Sequence, residues 1–342
     1  MTAGLPPRWV RRCLIDPLWV PLALLLGALF GVLGALGWLA GSLIGLVRPV
    51  RGRLWRLAWL ASAYLALDLV MLLGCFWLWL ARPVRRSGAS DWLPAHQRLL
   101  RWCLDRLRVT SEALVGFTVL LDKPLPPARP DSPVPLLVLA RHAGPGDSFA
   151  LVHLIASELD RCPRVVLKAA LQWDPGLDVL LNRLRCYFLP SRSGAGEDRT
   201  EPLTELAGGL DGNDALLLFP EGGNWTPRRH RRAVRRLWRA GRRRAAALAQ
   251  ANSHVLPPRP GGALACLQAR PDAAVLVVAH TGLDTLVSPG LIWRALPLWD
   301  RPMRISWWQH APDTVPADEA AQLDWLARQW DRIEEWVVSH SR

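Results

Sequence analysis

The sequence predicts an α/β protein, a mostly parallel sheet covered by helices and preceded by an N-terminal helical membrane region. Two observations carry this. Short apolar runs alternate with helix-period stretches between residues 134 and 219, the pattern of strands joined by crossover helices. The first 81 residues hold two long stretches almost free of charge, each longer than the roughly 20 residues that a membrane crossing needs.

Residues 18–47 contain no charged side chain and residues 57–81 only Asp68. A secretory signal is the competing reading of the first stretch, but its apolar run far exceeds a signal core of about 7 to 15 residues, which disfavours cleavage. Thirty helical residues reach about 45 Å, against a hydrocarbon core of about 30 Å. The first stretch must therefore tilt, project or bend back. Gly27, Gly31, Gly34, Gly37, Gly41 and Gly45 recur at spacings that let helices approach closely. Arginines precede the first stretch (Arg8, Arg11, Arg12), separate the two (Arg48, Arg51, Arg53, Arg56) and follow the second (Arg82, Arg85, Arg86). Two plain crossings would leave one cluster outside, against the positive-inside rule. The topology stays open, with the C-terminal body expected in the cytoplasm.

Domain boundaries follow: 1–90 as the membrane region, 91–133 as a junction, and 134–342 as the C-terminal α/β domain. In the junction, Leu99, Leu100, Cys103, Leu104 and Leu107 predict an amphipathic helix over 97–109, either at headgroup level or packed on the next domain. A strand over 115–121 and a proline-rich connector come next. The C-terminal domain should hold strands at 134–140, 164–168, 186–189 and 215–219, a buried strand at 273–280 and an edge strand at 304–310. Its helices should cover 147–159, 175–184, 201–208 and 318–338.

The formal net charge is +13, and residues 228–244 contribute ten arginines and no acid. Read as one helix, this run carries a thin apolar stripe of Val234, Leu237 and Trp238 between basic flanks. An anionic membrane surface is the partner such a helix fits. Nucleic acid fits less well, since Trp238 is the only aromatic among the arginines. The six cysteines, Cys13, Cys75, Cys103, Cys162, Cys186 and Cys266, are scattered with no C-x-x-C pair. They suggest neither a zinc site nor a disulfide framework, and a reducing compartment fits.

In "LLVLARHAGPGDSFALVHLI", His142 lies just past a buried strand and Asp147 opens the next helix. Ligands of open α/β sheets gather at such carboxyl ends. Gly144, Pro145 and Gly146 can turn the chain so that the two side chains meet. An Asp bonded to one imidazole nitrogen would leave the other as a general base; alternatively, Asp147 merely caps the helix. A second strand ends in "FPEGG", where Glu221 brings a carboxylate to the same sheet edge. There Gly222 and Gly223 let backbone amides approach an anion closely. The chain has only two lysines, Lys123 and Lys168, which singles out Lys168 amid so much arginine.

These blocks resemble the lysophosphatidate acyltransferase superfamily of phospholipid and glycerolipid acyltransferases. "HAGPGD" is similar to its H-x-x-x-x-D motif, "FPEGG" to F-P-E-G, and "LKAALQWDPGLDVLLNRLRCYFLPSR" to the block between them. "HVLPPRPGGALACL" resembles the continuation in lysocardiolipin-type branches, and the likeness spans roughly residues 113 to 290. It implies that His142 is the general base and Asp147 its orienting partner. It further implies that Arg192 grips the acceptor phosphate, with Lys168 a weaker candidate for the same work. Glu221 would organise the acceptor site, with Gly222 and Gly223 opening the backbone. Where the family often reads E-G-T-R-S, this chain has Gly223, Asn224 and Trp225, which removes a usual phosphate-binding Arg.

The function so implied is transfer of a fatty acyl group from acyl-CoA, as co-substrate, to the hydroxyl of a lysophospholipid. The expected acceptor is 1-acyl-sn-glycerol-3-phosphate, giving phosphatidate, in a bacterial cell membrane. No cofactor or metal is expected. A lysophospholipid with a larger headgroup, such as lysophosphatidylglycerol, lysocardiolipin or lysophosphatidylinositol, is the alternative acceptor. A non-catalytic lipid-binding protein and a membrane-tethered nucleic-acid binder are the rivals from other classes. No G-x-S-x-G elbow occurs, which argues against an α/β-type serine hydrolase.

Overall fold

A computed structural model of the chain describes residues 5–45, 52–81, 92–126, 134–144, 146–189, 200–284, 286 and 288–340. Helices α1 (Arg8–Gly45), α2 (Arg53–Leu80) and α3 (Trp92–Val115) come first, α1 with a wider π turn at Arg11–Ile15. Then follow β1 (Val119–Leu121), β2 (Leu136–Ala140), α4 (Asp147–His153), β3 (Cys162–Lys168), α5 (Pro175–Arg183) and β4 (Tyr187–Leu189). Next are α6 (Glu201–Gly208), β5 (Asp214–Leu218), α7 (Pro227–Arg239), α8 (Arg243–Ala251) and α9 (Pro260–Ala269). The chain closes with β6 (Ala274–Thr281), α10 (Pro289–Ala295), β7 (Met303–His310) and α11 (Glu319–His340).

Two compact units result, and they do not follow sequence order. One comprises Met1–Thr118, Val166–Arg192 and Trp293–Asp300, the other Val119–Val165, Ser193–Ile292 and Arg301–Arg342. Compactness thus groups two later segments with the N-terminal helices.

In the first unit α1 lies along α2, and the glycines show why. A Cβ on Gly34 would lie 2.1 Å from Trp59 Cδ1, and one on Gly37 would lie 3.0 Å from Trp55 Cβ. Close approach also lets Ser62 Oγ donate to Gly27 O (2.8 Å) and Trp59 Nε1 to Gly31 O (3.1 Å). The exception to apolarity, Asp68, is fully buried midway along α2 and accepts from Gly176 N at 2.7 Å and from Trp19 Nε1. Arg11 and Arg12 reach Asp178 of α5 at 3.0 and 2.8 Å. By length and composition α1 and α2 could each cross a membrane. The amphipathic helix expected over 97–109 is the middle of α3, which buries His96, Leu100, Cys103 and Leu104. Lys168 ends β3, whose last three residues pair parallel with β4.

In the second unit the sheet order is β1-β7-β6-β2-β5 and then the first half of β3. β2 runs parallel to both β5 and β6, and only the β6–β7 pair is antiparallel. Every residue of β2, β5 and β6 is buried, as expected of central strands with both faces covered.

Two expectations are corrected here. Residues 304–310 do not form an edge, because β7 lies between β6 and β1. Its partner β1 is only three residues long, however, so among the described residues Ser306–His310 is paired on one side. That half carries the partly exposed tryptophans Trp307 and Trp308, which give it an edge-like sequence. The basic run 228–244 is not one helix either. Gly241, at φ +71°, ends α7 in the left-handed conformation that glycine adopts without a steric penalty. Arg242 N then bonds back to Leu237 O at 3.1 Å. α8 folds against α7 through Leu237, Ala246 and Ala249, with Val234 and Ala245 beside them. Trp238 is left outside this contact, 46% exposed.

Candidate active site

β2 and β5 are adjacent and parallel, so their carboxyl ends deliver two loops to one place. After β2 the chain passes Arg141 and His142 and turns through Gly144 to Gly146. A Cβ on Gly144 would meet Leu283 O at 2.6 Å, and Gly146 has φ +88°; both positions suit glycine alone. Pro145 lies outside the described residues. Gly146 is the N-cap of α4, and Asp147 is its first residue.

Asp147 is therefore more than a cap. Its Oδ2 accepts from His142 Nδ1 (2.8 Å), Ala143 N (2.9 Å) and Gly144 N (3.2 Å). Its Oδ1 accepts from Ser148 N (2.6 Å) and Ser148 Oγ (3.2 Å). An ionised carboxylate only accepts, so the hydrogen of a neutral His142 resides on Nδ1 and Nε2 presents a lone pair. Burial alone would raise the Asp147 carboxyl. The His142 hydrogen bond, the neighbouring His280 and the Gly144 amide overcome this and hold it below the ordinary carboxylate range. The His142 ring lies 4.5 Å, centroid to centroid, from Phe219 at the end of β5, which fixes its tilt.

Beneath the pair lies a buried polar layer. His280, at the end of β6, donates from Nε2 to Arg141 O (2.8 Å) and stands 3.7 Å from Asp147 Oδ2. Burial pushes its imidazole below the usual histidine range, with the Asp147 carboxylate acting in the opposite sense. Arg141, fully buried, donates to His280 O and His254 O (2.5 and 2.6 Å) and pairs with Asp284. Burial would raise Asp284, but Arg141 holds its carboxyl low. Glu334 of α11 accepts from both the backbone N and Nδ1 of His254.

The "FPEGG" loop is clipped to the His142 turn from both directions. Trp225 N donates to His142 O at 2.7 Å, and His142 N lies 3.4 Å from Glu221 Oε2. Trp330 Nε1 of α11 lies 3.3 Å from Glu221 Oε1. Instead of projecting at the sheet edge as its position suggests, Glu221 is 2% exposed and lies under the loop. Burial pushes its carboxyl up to about 8, with Arg141 acting in the opposite sense. Gly222 has φ +71°, but its N–H closes the turn onto Phe219 O (2.9 Å). The expectation that this amide is open to an anion is thus corrected; what Gly222 opens is the space above it. The guanidinium of Arg259 occupies part of that space, and Arg259 N donates to Pro220 O at 2.8 Å.

His142, Asp147, Glu221, Gly222 and Gly223 therefore converge in the second unit. Lys168 is an exposed residue of the first, and Arg192 lies outside the described residues. Among the described residues no group of three or more His, Cys, Asp or Glu could hold a metal ion. Sequence reasoning missed Arg141, His254, His280, Asp284 and Glu334. One signal was available, since Arg141 and His280 both sit at the carboxyl ends of strongly apolar runs, but their pairing across 139 residues requires knowing that β2 and β6 are neighbours.

Residues 128–261 match the family model described as Acyltransferase. A comparison with curated proteins finds no match. Among solved structures the chain is similar to the 1-acyl-sn-glycerophosphate (LPA) acyltransferase PlsC from Thermotoga maritima. Identity is 15%, over 78% of this chain and 95% of that one, with a TM-score of 0.43. The span that matches the Acyltransferase model contains His142, Asp147 and the whole "FPEGG" loop.

Proposed function

We propose that this acyltransferase moves a fatty acyl group from acyl-CoA to the free hydroxyl of 1-acyl-sn-glycerol-3-phosphate, forming phosphatidate. The supporting observation is the His142–Asp147 pair, which leaves Nε2 with a lone pair at a partly open position. Nε2 takes the hydroxyl proton as the oxygen attacks the thioester carbonyl. The C–S bond then breaks, and the departing thiolate takes the proton back from the imidazolium. No covalent acyl-enzyme is needed, acyl-CoA acts as co-substrate, and no cofactor enters. Asp147, ionised at neutral pH, stabilises the transient imidazolium. Arg192 and Lys168 are assigned to the acceptor phosphate on the family resemblance. A lysophospholipid with a larger headgroup is the second reading, favoured by Gly223-Asn224-Trp225 where a Thr-Arg-Ser run is usual.

We further place the enzyme at the cytoplasmic face of a bacterial cell membrane, with the Arg228–Arg244 hairpin against anionic headgroups. An upright crossing by α2 would carry the Asp68–Gly176 bond to the bilayer centre, where polar groups are costly. We therefore seat α1 and α2 in one leaflet, which keeps all three arginine clusters on one side. The transfer itself is tested by incubating membranes with labelled acyl-CoA and a panel of lysophospholipids. Label should enter diacyl phospholipid with wild type and not with His142→Ala. Equal labelling by the two would overturn the proposal, as would release of free fatty acid alone.

A further inference from the structure

The loop after β5 lacks an arginine of its own at the position where the family often has one, yet two guanidinium groups from elsewhere in the chain stand over it. A Cβ on Gly222 would lie 3.2 Å from Arg259 Cζ, Nε and Nη1 together, so the guanidinium lies broadside across the bare backbone. Arg259 is the N-cap of α9, and its own N–H holds Pro220 O at 2.8 Å. From the other side comes Arg229, in the first turn of α7. Its Nη1 donates to Asn224 O at 3.0 Å and would lie 3.1 Å from a Cβ on Gly223. Thr226 Oγ1 accepts from Arg229 N at 3.1 Å and fixes that turn. Arg229, Arg259 and Gly222 are all exposed, and Trp225 ties the same loop to the His142 carbonyl.

We propose that Arg259, assisted by Arg229, binds the phosphate of the lysophospholipid acceptor and makes the enzyme select phosphorylated over neutral acceptors. This rests on the acyl-transfer reading above and adds to it the residues that confer the selectivity. A guanidinium presents paired N–H groups that match two phosphate oxygens. Both side chains start from backbone held by hydrogen bonds, so less freedom is lost when they bind. Gly222 suits this arrangement: its φ of +71° favours glycine, and a Cβ there would press on the Arg259 guanidinium at 3.2 Å. The chemistry recognised is a phosphate ester, which the acceptor's headgroup and the CoA donor both carry, so the test must separate the two.

The full chain in detergent micelles, carrying His142→Ala to prevent turnover, is titrated with lysophosphatidate, with monoacylglycerol and with acyl-CoA. Each titration is repeated with Arg259→Gln and with Arg229→Gln. Arg259→Gln should weaken lysophosphatidate binding roughly ten- to hundred-fold, leaving monoacylglycerol and acyl-CoA within about two-fold, and Arg229→Gln should do so less. Arg259→Lys should recover part of the loss. With active enzyme the same change should raise the acceptor KM and spare kcat. Unchanged preference for lysophosphatidate in both Gln variants overturns the assignment, and so does a loss confined to acyl-CoA. If wild type binds lysophosphatidate selectively through Arg259 but transfers no acyl group, the phosphate site stands and the transfer reading falls.

Discussion

Asp147→Asn separates charge from geometry at the catalytic pair. The carboxylate accepts five hydrogen bonds, three at Oδ2 and two at Oδ1. An amide must place its NH2 at one of these positions. At the Oδ2 position it would face the N–H groups of Ala143 and Gly144 as well as the His142 ring, so two backbone donors would lose their acceptor. At the Oδ1 position only Ser148 N is deprived, because Ser148 Oγ can rotate to accept. The second arrangement costs less and preserves the Nδ1–H tautomer. One deprived buried N–H costs about 1 to 3 kcal/mol, so the variant should remain folded with a lowered melting temperature. What it loses in both arrangements is the negative charge that stabilises the imidazolium, and turnover should fall about 10² to 10⁴-fold. The assay is kcat with acyl-CoA and lysophosphatidate in mixed micelles, paired with thermal unfolding of the same samples. If stability drops by the stated amount while kcat stays within about three-fold of wild type, Asp147 serves the turn alone and His142 is not a base oriented by it.

Glu221, with its carboxyl raised to about 8 from an ordinary 4.5, keeps its proton in the folded state at pH values where the unfolded chain has released it. Its contribution to stability is therefore greatest below about pH 4.5 and falls between there and pH 8; Glu221→Gln should flatten that limb in pH-dependent denaturant melts, and an unchanged slope would contradict the assignment. Arg141→Met should cost about 3 to 5 kcal/mol, because Asp284 and two carbonyls lose a buried cation. In wild type the Asp284 contribution is present above the ordinary carboxylate range and is lost as pH falls through the lowered folded value. That acid-limb loss should shrink in Arg141→Met, and equal acid sensitivity of the two proteins would refute the pairing. Single cysteines introduced at Arg53 and Ala81, the two ends of α2, should react with an impermeant thiol reagent from the same side of sealed vesicles; opposite-side labelling would mean that α2 crosses.

Much of this site is legible in one dimension because its chemistry is local. His142 and Asp147 are joined by a single glycine-rich turn, and the apolar runs that position it declare themselves as strands. The match extends to most elements, with α6 at the expected bounds and β2, β5 and β6 within two residues of them. What could not be read depends on neighbours brought together by the sheet. Glu221 looks like a rim residue from its position after β5, and only Trp330 and Arg141 packing around it bury the carboxylate. The β7 sequence resembles an edge strand because half of it is one, a distinction set by the length of β1. Gly241 was visible, but equally basic residues on both sides hid the reversal that it produces.

That reversal imposes two kinds of constraint on the α7–α8 hairpin. Inside, Ala246 is fully buried and Ala249 nearly so, against Leu237. A larger side chain at either position would pry the helices apart. Outside, the arginines of the run are all exposed, and their effect is a sum of charges. Drift along this lineage should exchange, shift or duplicate outer arginines freely and conserve the alanines and Gly241. The hairpin should thus keep its shape while its outer sequence wanders, and a relative with half the arginines could still carry it intact.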